Sequence, residues 1–372
     1  MPLPYLDENG DPTEPMKFSY IRDEFASYAP HRLSDYYSAD QAGWTDPDAP
    51  LVEAWQFDPG TILTPSNSDY WAVGSGSNAG AKTWTWTVPA GVTSINCVAI
   101  GGGGGGAGST YHSNGISGGG GGGGGLSYRN SYAVTPGNVY YIFSGYGGTG
   151  SNVQSNANGG AGGWSGISSV ASPWTTSQLI VYATGAYGGR YNYTSTNNPA
   201  PGGLGGSNAM ATNTGGGNGG AGGRGQNGHQ AGGGGGAGGY SGTGGWGGNG
   251  SNGGATSGSG GGGGGSNGDN GNSSTTRGGA GGVGIFGEGA NGSPSTSGAG
   301  GWGTGGSGGQ NGYPGSGSTT SRGGAMGGGG SGTEDDSGQH GVHGGKGYVR
   351  IITAGTFPST NVGEVAGENI YT

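Results

Sequence analysis

Residues 83–88 read Thr-Trp-Thr-Trp-Thr-Val, an unbroken alternation that puts Trp84, Trp86 and Val88 on one face of a strand and the threonines on the other. Pro89-Ala90-Gly91 supplies a turn, and a second strand over 92–100 grows apolar towards its end before running into six glycines. Further strands are predicted at 126–134, 139–144, 166–170, 179–183 and 347–353, with Pro136-Gly137 as a tight turn between two of them. Ahead of these, Phe18, Ile21, Phe25 and Tyr28 recur at helical spacing, which predicts one short amphipathic helix over 16–28, ended by Pro30. The rest of 1–82, including Tyr36, Tyr37, Trp44, Trp55 and Trp71, reads as loops and short strands whose aromatics call for a docking partner.

Between and after the strands the hydrophobic pattern stops. Uninterrupted glycine runs occupy 101–106, 118–125, 232–236, 260–265 and 327–330, and around them lie GGX-like segments, such as 202–206, 215–225, 244–249 and 300–309. Glycine makes up 107 of 372 residues, which suggests collagen, but collagen needs a strict Gly-X-Y period and abundant proline, and only 17 prolines are present. A disordered glycine linker is the other plain reading. Against it, the runs are bracketed by Tyr, Trp and Ile, and strand patterns occur before, among and after them.

A three-residue-per-turn polyproline-II helix explains both kinds of segment. It has no internal hydrogen bonds, so its N–H and C=O groups point outward and need neighbours as partners. A helix enclosed on all sides has no room for a Cβ and must be pure glycine, whereas one at the edge of a bundle can carry a side chain per turn. Eight glycines would span roughly 25 Å. The expected fold is mostly irregular plus β: a small β-sheet base with a bundle of glycine-rich polyproline-II (polyglycine-II) helices over 83–353, preceded by a small N-terminal attachment module over 1–82 and followed by a tail over 354–372. Alternating rods would place loops 109–117, 151–157, 191–200, 226–231, 251–259, 285–297 and 331–339 at the far end, and return loops 207–213, 240–243, 266–276 and 310–321 to the base.

With 20 acids against 11 bases the net charge is −9, and the bases are scattered singly, so no footprint for nucleic acid or an anionic membrane is present. Cys97 is the only cysteine, which excludes an intrachain disulfide and a cysteine-based zinc site. Residues 1–10 have neither a basic nor an apolar stretch of the secretory type, and no apolar run approaches a membrane span, so no membrane insertion is expected.

The stretch 83–106, TWTWTVPAGVTSINCVAIGGGGGG, followed by Val134-Thr135-Pro136-Gly137-Asn138-Val139-Tyr140 and closed by Gly344-Gly345-Lys346-Gly347-Tyr348-Val349-Arg350-Ile351, resembles the glycine-rich domain recurrent in phage tail-fibre proteins. The glycine-run region is similar to the receptor-binding adhesins at the tips of long tail fibres of T-even-type phages, in which a polyglycine-II bundle carries variable distal loops. Residues 18–25 and 33–37 look like a segment found near the start of many phage tail proteins. The resemblance implies a virion protein, released by lysis, that attaches to other tail or fibre proteins and binds a host surface polysaccharide or outer-membrane protein. It further implies a homotrimer or a mounting on a trimeric fibre. A purely structural baseplate or tail component is the alternative. An ice-binding protein, which could also use stacked helices of this kind, would want a regular Thr or Ala ladder that this sequence lacks.

Far-end loops that bind a ligand would use rigid aromatic side chains, which also suit sugar rings. Tyr111, His112, Tyr191, Tyr193, His229 and Phe286 fall in the expected loops, and the plainer role for each is to cap the bundle end. For attachment the candidates are Phe18, Ile21, Phe25, Tyr36 and Tyr37. Glu334, Asp335, Asp336, His340 and His343 form the one cluster able to ligate a metal; His340 and His343 would project from one side of a three-residue turn. A solvated acidic loop beside edge histidines is the simpler reading, and no cofactor is expected. Paired carboxylates, nucleophile triads and phosphate loops are not found in a credible context, and no Walker lysine follows the many chance G-x-G-x-x-G matches, so the chain is not expected to be an enzyme.

Overall fold

Alternating strands need a sheet with two faces, and the chain builds two such sheets, with the glycine segments inserted between their strands. The computed structural model describes residues 4–6, 12–15, 54–57, 80–108, 117–151, 157–191, 202–208, 215–226, 231–250, 255–258, 261–262, 277–294, 303–312, 314–315, 323–333, 341–353, 355–359 and 368–371. They belong to two units, Met1–Pro47 and Asp48–Thr372. In the first, β1 (Pro4–Leu6) and β2 (Pro12–Pro15) pair antiparallel. The expected helix over 16–28 and the attachment candidates Phe18, Ile21, Phe25, Tyr36 and Tyr37 lie outside the described residues.

The second unit contains β3 (Ala54–Phe57), β4 (Ala81–Thr87), β5 (Ser94–Ile100), β6 (Leu126–Ala133), β7 (Val139–Gly145), β8 (Ser165–Ser168), β9 (Leu179–Ala183), β10 (Gly215–Gly217), β11 (Arg277–Gly278), β12 (Pro314–Gly315), β13 (Tyr348–Ile352) and β14 (Glu368–Tyr371). The strands β10-β6-β5-β13-β3-β14 form a six-stranded sheet, antiparallel except for the β14–β3 pair, and β4-β7-β8-β9 form a four-stranded antiparallel sheet. Among the described residues the helical content is one 3-10 turn, Thr176–Gln178.

The two sheets pack face to face. Ile95, Cys97 and Ala99 of β5, Val349 and Ile351 of β13 and Phe57 of β3 meet Trp86, Tyr140, Ile142, Ile167 and Val181 of the smaller sheet in one buried cluster. The other face of the six-stranded sheet is buried as well, with Val98, Ile100, Leu126, Tyr128, Tyr348 and Ile352 packed against Ala237, Tyr240, Val283, Ile285 and Phe357. Burial on both faces is the reason that β5 reads as a continuous apolar run, whereas β4, with its threonines exposed, alternates.

Two segments assigned from sequence to flanking regions belong to this sheet. Ala54–Phe57 (β3), inside the expected N-terminal module, pairs with β13, and Glu368–Tyr371 (β14), inside the expected tail, pairs in parallel with β3. The chain beyond 353 is also pinned by a bulge in β6. Residues 130 and 131 together oppose Asn96 of β5; Ser131 takes φ 52° and donates its N–H to Asn96 Oδ1 at 2.8 Å. The bulge turns the Asn130 amide towards Phe357, where it donates to the carbonyl at 2.6 Å and accepts from the N–H at 3.0 Å. Neither strand is visible by alternation, because four residues are too few to show a period.

Beyond the ends of the strands, the glycine segments bond to one another through the backbone, with a period of three. In the run that follows β5, Gly101, Gly104 and Ala107 donate to Gly125, Gly122 and Gly119; Gly102, Gly105 and Gly108 donate to Gly163, Gly160 and Ala157; Gly103 and Gly106 donate to Gly345 and Val342. Its carbonyls accept from 148–151, 186–189 and 330–333. The run 118–125 is enclosed in the same way: it donates in rotation to 184–190, 220–223 and 327–333 and accepts from 101–107, 203–206 and 232–238. A Cβ placed on any of Gly101 to Gly106 or Gly120 to Gly125 would lie closer than 3.0 Å to a neighbour's carbonyl oxygen.

Direction follows from these pairs. Residues 101–108 lead away from β5, 117–125 return to β6, and 146–151, 184–191 and 216–226 lead away again. The parity expected from sequence breaks later. Gly261 and Gly262 already lie level with Ala237, near the sheet, and 279–285 then descends to the sheet again, placing Ile285 in the apolar cluster under β5 and β13. The stretch at 285–287 is therefore at the base and not in a far loop.

Two measurements check this arrangement. Gly105→Ala would force a methyl group against the Thr149 carbonyl and should lower stability to urea by at least about 1–3 kcal/mol, while Leu204→Ala, at an exposed side-chain position, should change it by less than about 0.5 kcal/mol. Burial pushes the Cys97 thiol up to about 12 from 9.0, against the opposing charge of Arg129. An unfolded chain therefore releases this proton above about pH 9 while the folded chain keeps it, so stability should fall as pH rises from 9 towards 12, by up to about 1.4 kcal/mol per unit, and Cys97→Ala should flatten the slope.

Candidate functional site at the end away from the sheets

Away from the sheets, the ends of several described segments lie level with one another. Ser117 N–H donates to the Gln226 carbonyl at 3.3 Å, Gly118 to Thr333 at 2.9 Å, Thr333 to Ala107 at 3.1 Å, Gly108 to Ala157 at 3.4 Å, Gly119 to Arg190 at 3.2 Å and Gly341 to Ser151 at 2.9 Å. These residues flank 109–116, 152–156, 192–201, 227–230 and 334–340, so the stems of five expected loops gather at one end of the glycine region. Tyr111, His112, Tyr193 and His229 lie outside the described residues. Tyr191 stands on this end, its N–H donated to Asn158 Oδ1 at 2.9 Å.

Phe286 is not at this end, which corrects its place among the loop aromatics. Its ring covers the guanidinium of Arg350 on β13, 4.6 Å from Cζ to centroid. Arg350 is fully buried and donates to the Ile285 carbonyl at 3.4 Å, so the aromatic face offsets part of the cost of a charge in an apolar layer. The same layer holds Tyr240, whose hydroxyl donates to the Gly284 carbonyl at 3.1 Å; burial pushes its ionisation well above the ordinary tyrosine range. Strict alternation of segment directions puts Phe286 at the far end, but 261–262 and 285 both lie near the sheet, so the alternation does not hold there.

Of the metal candidates, Asp335 and His340 lie outside the described residues. His343 is half-buried, and its Nδ1 accepts the Gly150 N–H at 3.1 Å, so this nitrogen is engaged in holding two segments together. Among the described residues no three His, Cys, Asp or Glu side chains converge.

Two features here had no sequence signal. Ser117, Ser151, Ser331 and Thr333 are buried at the loop-bearing end, and their hydroxyls hydrogen-bond to nothing among the described residues. They mark the level at which small polar side chains replace bare backbone. At the opposite end, the outer face of the four-stranded sheet holds a cavity of about 570 Å³ lined by Thr83, Thr85, Tyr141, Ser172 and Trp174 among others, with Trp174 stacked on Phe143 at 4.4 Å.

Residues 77–167 match a family model described as a glycine-rich domain. The match covers β4, β5, the two enclosed glycine runs, β6 and β7, which is the part of the chain where sheet passes into glycine backbone. No curated protein matches the chain.

Proposed function

We propose that this protein is a phage tail-fibre or tail-tip component that binds a host cell surface through loops displayed by a polyglycine-II bundle. The observation that carries the reading is the gathering of five loop stems at one end, with the sheets at the other. Such a division gives a rigid body with a fixed end and a variable end, and recognition sites are disproportionately found on loops held by a rigid scaffold. The period-three hydrogen bonding of 101–108 and 117–125 favours three-residue helices of the polyglycine-II kind, since each successive N–H points to a different neighbour about 120° further round.

The host ligand in this reading is a surface polysaccharide or an outer-membrane protein. The N-terminal module, 1–82, docks onto other tail or fibre proteins, as a homotrimer or mounted on a trimeric fibre, and the protein acts in the virion by binding and not by catalysis. Exchanging 109–117 and 191–200 for the corresponding loops of a related phage tests the idea. Adsorption and host range should follow the donor loops, and unchanged host range would remove the receptor-binding role.

A further inference from the structure

We propose that the flank of the glycine region carries a second binding site, for a sugar chain bearing phosphate or carboxylate groups. It rests on the reading that the protein engages a cell surface, and it adds a ligand class and a location apart from the loops. Three of the exposed large hydrophobic residues among those described, Tyr187 (47% exposed), Leu204 (67%) and Trp246 (62%), are far apart in sequence but stand at one level. The register is fixed by backbone bonds. Tyr187 N–H donates to the Leu204 carbonyl at 3.0 Å; Gly222 and Gly219 donate to Gly203 and Gly206, which sets Ala221 beside Leu204; Gly247 donates to the Ala221 carbonyl at 2.9 Å, which sets Trp246 beside Ala221. Tyr187, Leu204, Ala221 and Trp246 thus form an apolar belt across four adjacent segments.

One period further from the sheets, roughly 9 Å along the axis, come Arg190 above Tyr187 and Arg224 above Ala221. Both are exposed, and neither guanidinium has an ion-pair partner among the described residues. No Asp or Glu occurs in 184–190, 202–207, 216–226 or 242–250, although the whole chain carries a net charge of −9. Two exposed arginines on four segments that carry no acid of their own, in a protein of net charge −9, favour an anionic ligand. Aromatic rings beside guanidinium groups that are unpaired among the described residues suit a ligand with flat apolar ring faces and oxyanions on the same chain, which is the chemistry of uronic-acid or phosphorylated sugars. A second copy of the chain fits less well, because two-fold pairing of belts would bring the arginine rows of both copies onto one interface.

The test uses the full-length protein titrated with oligogalacturonate, with a phosphorylated mannan and with neutral dextran, followed by tryptophan fluorescence and calorimetry at low and high salt. At least one anionic glycan should bind in a salt-sensitive manner and dextran should not; which one binds identifies carboxylate or phosphate as the recognised group. Arg190→Gln with Arg224→Gln, and separately Trp246→Ala, should weaken binding by about tenfold or more, while Val139→Ala, an exposed apolar residue outside the belt, should leave it unchanged. The proposal is overturned if neither anionic glycan binds, if the belt variants bind as tightly as the parent, or if they instead abolish a self-association seen by ultracentrifugation, which would make the belt a contact between copies. Host range that follows exchanged loops, together with belt variants that bind like the parent, would sink this inference and leave the loop reading standing.

Discussion

The hydrogen bond between the backbones of neighbouring glycine segments is the interaction on which the rest of this structure depends. In most domains apolar side chains fill the space between elements, and hydrogen bonds stay within a helix or a sheet. Here Gly101–Gly125, Gly102–Gly163 and Gly103–Gly345 are successive donor–acceptor pairs reaching three different segments, and no side chain stands between them. Each such bond contributes on the order of 1 kcal/mol net, similar to the cost of fixing one glycine. With the two so nearly matched, a single segment has no stability of its own, and only an array in which every segment is bonded on several sides can hold.

That constraint explains why sheets lie at one end. The first enclosed run begins directly after Ile100 and the second ends directly before Leu126, so β5 and β6, paired through Ile100 and Leu126, fix the spacing and antiparallel direction of the two runs where they leave the sheet. The run 341–347 enters β13, beside β5, and 184–190 leaves β9 in the opposed sheet. Apolar packing in the two clusters that bury both faces of the central sheet therefore anchors the glycine array at its base. Among the described residues the other end of the array holds no further apolar cluster.

Much of this was legible in the sequence where residues leave a periodic or compositional trace. The alternation of 83–88, the strands over 126–134, 139–144 and 179–183, and the distinction between pure glycine runs and segments with a third-position side chain all correspond to observed elements or to the observed enclosure of 101–106 and 118–125. What could not be read was how segments meet. Ala54–Phe57 and Glu368–Tyr371 are too short to show a period, and their pairing is decided by a neighbour almost three hundred residues away in one case. Phe286 looked like a loop residue because one reversal of direction was miscounted, and nothing local reveals that its ring covers a buried arginine. The belt of Tyr187, Leu204 and Trp246 is likewise a property of register between segments, which no single segment encodes.

Amide hydrogen exchange resolved to individual residues tests most directly whether bare backbone is the packing surface. With the account correct, the amides of 101–106 and 118–125 exchange as slowly as those at the centres of β5 and β13, despite having no side chains to shield them. Exchange of those glycines at the rate of free peptide, while β5 and β13 stay protected, would contradict it.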